Sequence, residues 1–252
     1  MKILLKINYV GTDFCGYQVQ PDKLTVQGCL CDAARKIYGC ECDITGCSRT
    51  DSGVHANEFF ATLCAKDGKD IFGAIPLEKV PIAMSSNLPA SISVIGATAV
   101  ADDFHPRYDV KYKEYVYKIW NSPVRNPFLE GFVYHYPLSL LDGACNSMEQ
   151  AAMHFVGEHD FASFMAQGSK IVTTVRNVKY VRVVQEGNLI CFYVAADGFL
   201  YNMVRIMAGT LLEVAKGKIS PDEITKIIEA KDRNAAGPTA PACGLYLNKV
   251  VY

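Results

Sequence analysis

Residues 177–185 and 189–196 read as two extended runs, and only Glu186-Gly187-Asn188 separates them. A link that short, made of turn-forming residues, joins neighbouring antiparallel strands as a hairpin. A parallel pair would need a crossover of roughly a dozen residues or more. Further strand-like runs surround this hairpin. Ile3, Leu5, Ile7 and Tyr9 fall at alternate positions, residues 41–47, 58–65 and 92–100 look extended, and Tyr115, Tyr117 and Ile119 share one face of 112–120. Residues 244–251 form a last strand. Helical spacing lies between these runs. One helix starts near Thr25, with Val26, Cys29/Leu30, Ala33 and Ile37 on one face and Gly39 closing it. Others cover 140–155 and 200–215, and another opens at Ser220-Pro221-Asp222-Glu223, a capping box with proline at the first helical position. Hairpin-paired strands with helices between them place the chain in the α+β class, not among doubly wound parallel sheets.

At 252 residues, half of them apolar, the chain has room for two lobes of roughly 100–150 residues. The junction is placed near Asp102-Asp103-Phe104, giving an N-terminal lobe, 1–103, and a C-terminal lobe, 104–252. None of the ten cysteines forms a C-x-x-C pair, so they read as reduced, mostly buried thiols of a cytoplasmic protein. The apolar N-terminal run is short and broken by Lys6, unlike a signal peptide. No apolar stretch of about 18 residues is present, so no membrane partner is expected.

Charge and motifs narrow the chemistry. A net charge of −1 argues mildly against a polyanionic partner, although Arg107, Lys111, Lys113 and Lys118 cluster, as do Arg176, Lys179 and Arg182, and Lys216 with Lys218. Such runs are usually solvated faces. Nucleotide-binding glycine loops, a G-x-S-x-G elbow and an H-E-x-x-H helix are all missing, and the five histidines are scattered. The expectation is therefore catalysis by ordinary side chains, with no metal or cofactor.

Three features stand out. Asp51 lies in Ser48-Arg49-Thr50-Asp51-Ser52-Gly53-Val54-His55-Ala56, between two extended apolar segments. Thr-Asp-Ser-Gly is also what a plain turn looks like, but a loop gripped by rigid strands is where catalytic groups tend to sit. Arg205 interrupts a helix that is apolar nearly all round, so it either sits at the surface or faces an anion, and if that anion is a carboxylate Asp51 is the most interesting candidate. The strand holding Tyr115 and Tyr117 suits cross-strand packing or stacking on unpaired bases.

Together these segments resemble the tRNA pseudouridine synthase A (TruA-type) family over the whole chain. That family's loop usually reads G-R-T-D-A-G-V-H-A. Other matching stretches are Tyr9-Val10-Gly11 with Phe14-Cys15-Gly16-Tyr17-Gln18, Thr25-Val26-Gln27-Gly28, Tyr115-Val116-Tyr117 and Arg125-Asn126-Pro127-Phe128. Gly157-Glu158-His159-Asp160-Phe161, Asn202-Met203-Val204-Arg205 and Gly244-Leu245-Tyr246-Leu247 complete the set. The resemblance implies two RRM-like (ferredoxin-like) lobes sharing a mixed, mainly antiparallel sheet backed by helices, with the active-site cleft between them. It implies a cofactor-independent isomerase that acts as a homodimer on the anticodon stem-loop of tRNA, at positions 38, 39 and 40. Asp51 would be the nucleophile, Arg205 its salt-bridge partner, and Tyr115 a stacking group and proton acceptor. Arg49 would fill the space left by the flipped base, and Leu245 would pack on the uracil. Ser48 and Ser52 depart from the family's glycine and alanine, which implies altered hydrogen bonding within the loop. Two rivals are an RNA-binding module of the same fold without catalysis, and a hydrolase pairing Asp51 with His55.

Overall fold

The computed structural model describes residues 2–68, 71, 73–168 and 171–252. They divide into two compact units, one running to Lys111 and including Leu247–Tyr252, the other Tyr112–Tyr246. The first unit thus extends past the junction read from sequence, and the chain's last residues return to it.

In the first unit the elements run β1 (Lys2–Tyr9), α1 (Val26–Tyr38), β2 (Cys42–Gly46), β3 (His55–Ala65), α2 (Val80–Ser85) and β4 (Ile92–Val100). β1 lies between β3 and β4, antiparallel to both, and β2 also pairs antiparallel with β3. Alternation explains β1: Ile3, Leu5, Ile7 and Tyr9 are all buried while the residues between them are half-exposed. α1 starts where Thr25 Oγ1 accepts a bond from the Gly28 N–H at 3.2 Å, and it ends at Gly39, whose φ is 65°. Its buried face is rotated from the expected one, with Ala34 and Tyr38 inside and Cys29 and Ile37 half-exposed.

The second unit contains β5 (Tyr112–Asn121), β6 (Tyr134–Tyr136), α3 (Ala144–Met153), β7 (Gly157–Asp160), β8 (Val175–Glu186), β9 (Leu189–Ala196), α4 (Met203–Ala215) and α5 (Glu223–Ala230). Antiparallel pairing runs β5-β9-β8-β7, and β6 joins β5 in parallel, which makes the sheet mixed. The β8–β9 hairpin turns at Gly187, with φ 58°. Tyr117, Ile119, Ile190, Phe192 and Val194 form one buried face of this sheet. α3 and α4 begin later than their apolar patterns suggest, at Ala144 and Met203, because turns occupy the residues before them. Pro221 likewise sits in the turn before α5, where Glu223 Oε2 accepts the Ser220 N–H at 2.6 Å. β10 (Leu245–Val251) is the last strand, and from Leu247 onward it belongs to the first unit. There the Val250 N–H donates to Glu58 Oε1 at 2.9 Å.

All ten cysteines are free. Only Cys42 and Cys47 are buried, the other eight being half-buried, so the thiols are less enclosed than expected. Burial, with Cys40 beside it, pushes the Cys42 thiol up to about 12, which makes it a poor nucleophile. No helix among the described residues is long and apolar enough to cross a membrane.

Candidate active site

The link between β2 and β3 carries Arg49 and Asp51, and the segment that follows β1 holds it in place. Tyr17 donates its N–H to the Thr50 carbonyl at 3.1 Å, and Gly53 donates to the Phe14 carbonyl at 3.4 Å. The hydroxyls of Tyr9 and Thr50 are bonded at 2.7 Å in a buried setting. Ser52 Oγ donates to the Phe14 carbonyl at 3.1 Å, a bond that alanine could not make. Two glycines permit this close approach. A Cβ at Gly11 would sit 1.9 Å from the Val54 carbonyl oxygen, and one at Gly16, where φ is +88°, would sit 2.7 Å from the Thr50 oxygen. His55 is 1% exposed, and its Nδ1 accepts the Gly11 N–H at 3.0 Å. Asp51 is therefore presented half-exposed on a backbone fixed at both flanks.

The second unit fixes the other expected site residues. Tyr115 is buried on β5, its ring edge-on to Phe199 with centroids 4.8 Å apart. Tyr117 follows on the same face and donates its hydroxyl to the Pro241 carbonyl at 2.7 Å. Burial raises its pKa far above the ordinary value, so it acts as a neutral structural donor. Arg205, half-buried on α4, donates Nε to the Ala240 carbonyl at 2.7 Å and Nη1 to Asn202 Oδ1 at 2.8 Å. Those two bonds set the plane and direction of its guanidinium. Leu245 is buried at the start of β10. Beside it, the Tyr246 hydroxyl donates to the Phe132 carbonyl at 2.6 Å, and the Lys118 ammonium lies 3.9 Å over the Tyr246 ring.

Comparison with known proteins establishes the family. The sequence profile of the tRNA pseudouridine synthase family matches residues 6–109 and 151–252. The chain belongs to that family. It is 44% identical over 250 residues to tRNA pseudouridine synthase A of Caldicellulosiruptor saccharolyticus, covering 99% of both chains. It is 41% identical to the enzyme of that name from Clostridium acetobutylicum, again over 99% of both. With the Halalkalibacterium halodurans enzyme the identity is 42%, over 97% of this chain and 90% of the relative. As a member of the tRNA pseudouridine synthase family, the chain is an isomerase acting on tRNA.

The basic runs sort into two kinds. Lys113 is 8% exposed, Arg182 lies 4.4 Å over the Tyr193 ring, and Lys216 and Lys218 both pair with Glu213. Arg107 is different. It lines a pocket of about 200 Å³ in the first unit together with Arg49, Tyr17, Gly46, His105 and Tyr108. Sequence reading counted Arg107 as part of a solvated face, because nothing local announces that the 105–108 turn folds back beside the Asp51 loop.

Proposed function

We propose that this pseudouridine synthase isomerises uridines of the tRNA anticodon stem-loop, at positions 38, 39 and 40, with Asp51 as the nucleophile. The observation that supports the nucleophile is the fixed loop, in which Asp51 sits between residues bonded to the 11–17 segment while its side chain stays reachable. Preorganisation of that kind is what a covalent catalyst requires.

The target uridine must leave the stack, since its reacting atoms are shielded inside a helix. Arg49, two residues before Asp51, occupies the space the base leaves. Leu245 packs on the uracil, and Tyr115 stacks against it. The Asp51 carboxylate forms a covalent bond with the nucleoside and the N1–C1′ bond breaks. The freed uracil rotates, and its C5 bonds to C1′ in place of N1. The proton on C5 passes to an acceptor, for which Tyr115 is the candidate, and the Asp51 adduct is released. Arg205 pairs with Asp51 and keeps it ionised. Substrate and product have the same composition, so these side chains suffice without a redox or nucleotide cofactor. The protein acts in the cytoplasm, as a homodimer.

The positions are testable by reaction of product tRNA with a carbodiimide that marks pseudouridine, followed by reverse transcription. Stops are expected one nucleotide 3′ of positions 38, 39 and 40 wherever uridine occupies them. Stops confined to another arm would overturn the assignment to the anticodon stem-loop.

A further inference from the structure

The pocket beside the Asp51 loop has three properties beyond the part that Arg49 takes in the reaction. The first is charge. Arg49 and Arg107 both line it, yet among the described residues neither forms an ion pair or a side-chain hydrogen bond. Arg107 is bonded only through its backbone N–H, which donates to His105 Nδ1 at 3.1 Å. No carboxylate lines the pocket. Two uncompensated guanidinium groups on one concavity repel each other, and an anion between them relieves that repulsion.

The second property is a polar group on the floor. Tyr17 is 2% exposed, and among the described residues its hydroxyl has no hydrogen-bond partner. Its ring lies against Phe59 with centroids 4.4 Å apart, and a Cβ at Gly46 would come within 2.5 Å of its Cε1. The ring therefore cannot swing away to seek another partner. Buried hydroxyls without partners are rare in folded proteins, and one lining a cationic pocket suits an incoming acceptor. Burial raises the pKa of this phenol well above its ordinary value, so it stays a donor.

The third property is an exposed aromatic wall. Tyr108 is 75% exposed and stacks on His105, with centroids 4.2 Å apart and planes at 30°. Its turn is held rigidly. Tyr108 and Asp109 both donate N–H groups to the His105 carbonyl at 3.1 Å, and the Tyr252 hydroxyl donates to the Pro106 carbonyl at 2.9 Å. A fixed aromatic face beside a cationic pocket is a recurring way to hold an unpaired nucleotide.

We infer that this pocket is a nucleotide subsite for the RNA strand next to the reacting uridine. Arg107 takes a backbone phosphate, Tyr17 donates its hydroxyl to a phosphate oxygen, and an unpaired base stacks on Tyr108, while Arg49 forms the side of the pocket nearest the reacting uridine. Arg49 lines the pocket two residues from Asp51, and two residues span at most about 7 Å of chain, so a phosphate held in the pocket lies within a nucleotide or two of Asp51. The subsite then sets which nucleotide can reach the nucleophile. This inference rests on the reading of the protein as an enzyme of anticodon-arm RNA.

The test is binding of a fluorescently labelled anticodon-arm RNA across a salt series, for the wild type and four pocket variants whose folding is checked by thermal unfolding. Arg107→Gln is expected to weaken binding about tenfold at low salt and to reduce the slope of log Kd against log salt by about one. Arg107→Lys should keep the wild-type slope. Tyr108→Ala should weaken binding about tenfold with the slope unchanged, as loss of one stacked base would. Tyr17→Phe should weaken it several-fold, also without a slope change. An unchanged slope in folded Arg107→Gln, or wild-type affinity in both Tyr17→Phe and Tyr108→Ala, would overturn the subsite. Turnover of the wild type, measured on the same RNA, separates the two readings. A slope change without turnover sinks the isomerase assignment and leaves the subsite standing, whereas turnover with no slope change sinks the subsite alone.

Discussion

Asp51 and Arg205 are each fixed by their own surroundings, Asp51 by the bonds of its neighbours to the 11–17 segment and Arg205 by Ala240 and Asn202. The proposed pairing between them makes a prediction of its own. Removing one member of a buried pair strands the other charge, at a cost of about 3–5 kcal/mol, though Asp51 is half-exposed and solvent screening lowers that. In a double-mutant cycle of Asp51→Asn and Arg205→Met, followed by denaturant unfolding, the changes should be non-additive by about 1–3 kcal/mol. The cycle cancels the bonds of Arg205 to Ala240 and Asn202, which are lost whether or not Asp51 is charged. Additivity within about 0.5 kcal/mol would contradict the pairing. At this scale the sequence singled out Asp51 and Arg205, since a charge inside an apolar helix demands a partner. It was silent about Tyr17 and Arg107, whose meaning depends on residues distant in sequence folding around one pocket.

Among the elements, α4 is the most tightly packed on its surroundings. A Cβ at Gly209 would lie 1.8 Å from the Pro238 carbonyl oxygen, and the Thr210 hydroxyl accepts the Gly237 N–H at 2.9 Å. Two effects compete in Gly209→Ala. Helix propensity favours alanine by about 1 kcal/mol. Steric overlap with a backbone carbonyl cannot be relieved by a rotamer change, and overpacking of this kind costs about 1–3 kcal/mol or more. The clash should win, and Gly209→Ala is expected to lower the unfolding free energy by about 2 kcal/mol in urea titration. A gain in stability would show that the 236–240 segment yields easily, and that it does not fix Arg205 through Ala240. Long periodic elements such as α1, β1 and the β8–β9 hairpin were legible because their alternation or capping is local. The short pieces α2, β6 and β7 were not, because three to six residues carry too little periodicity and are fixed by the strands they join. The rotated face of α1 was missed for a related reason: helical spacing admits two overlapping faces, and packing chooses between them.

For the molecule as a whole, a net charge of −1 coexists with a tRNA substrate because local placement matters more than the sum. Lys118, Arg182, Lys216 and Lys218 are engaged by acidic or aromatic neighbours, and the two arginines of the first unit without side-chain partners among the described residues share one pocket. The protein is thus an ordinary, nearly neutral α+β chain whose chemistry is concentrated in a few side chains on fixed backbone. The claim on which everything else depends is that Asp51 carries out the isomerisation. Its direct measurement is tritium release from tRNA labelled at uridine C5, comparing the wild type with Asp51→Asn at equal RNA occupancy. The account predicts release by the wild type and none above background from the variant, although the variant still binds the RNA. Wild-type release from Asp51→Asn, or none from folded wild-type protein on any anticodon-arm substrate, would contradict it.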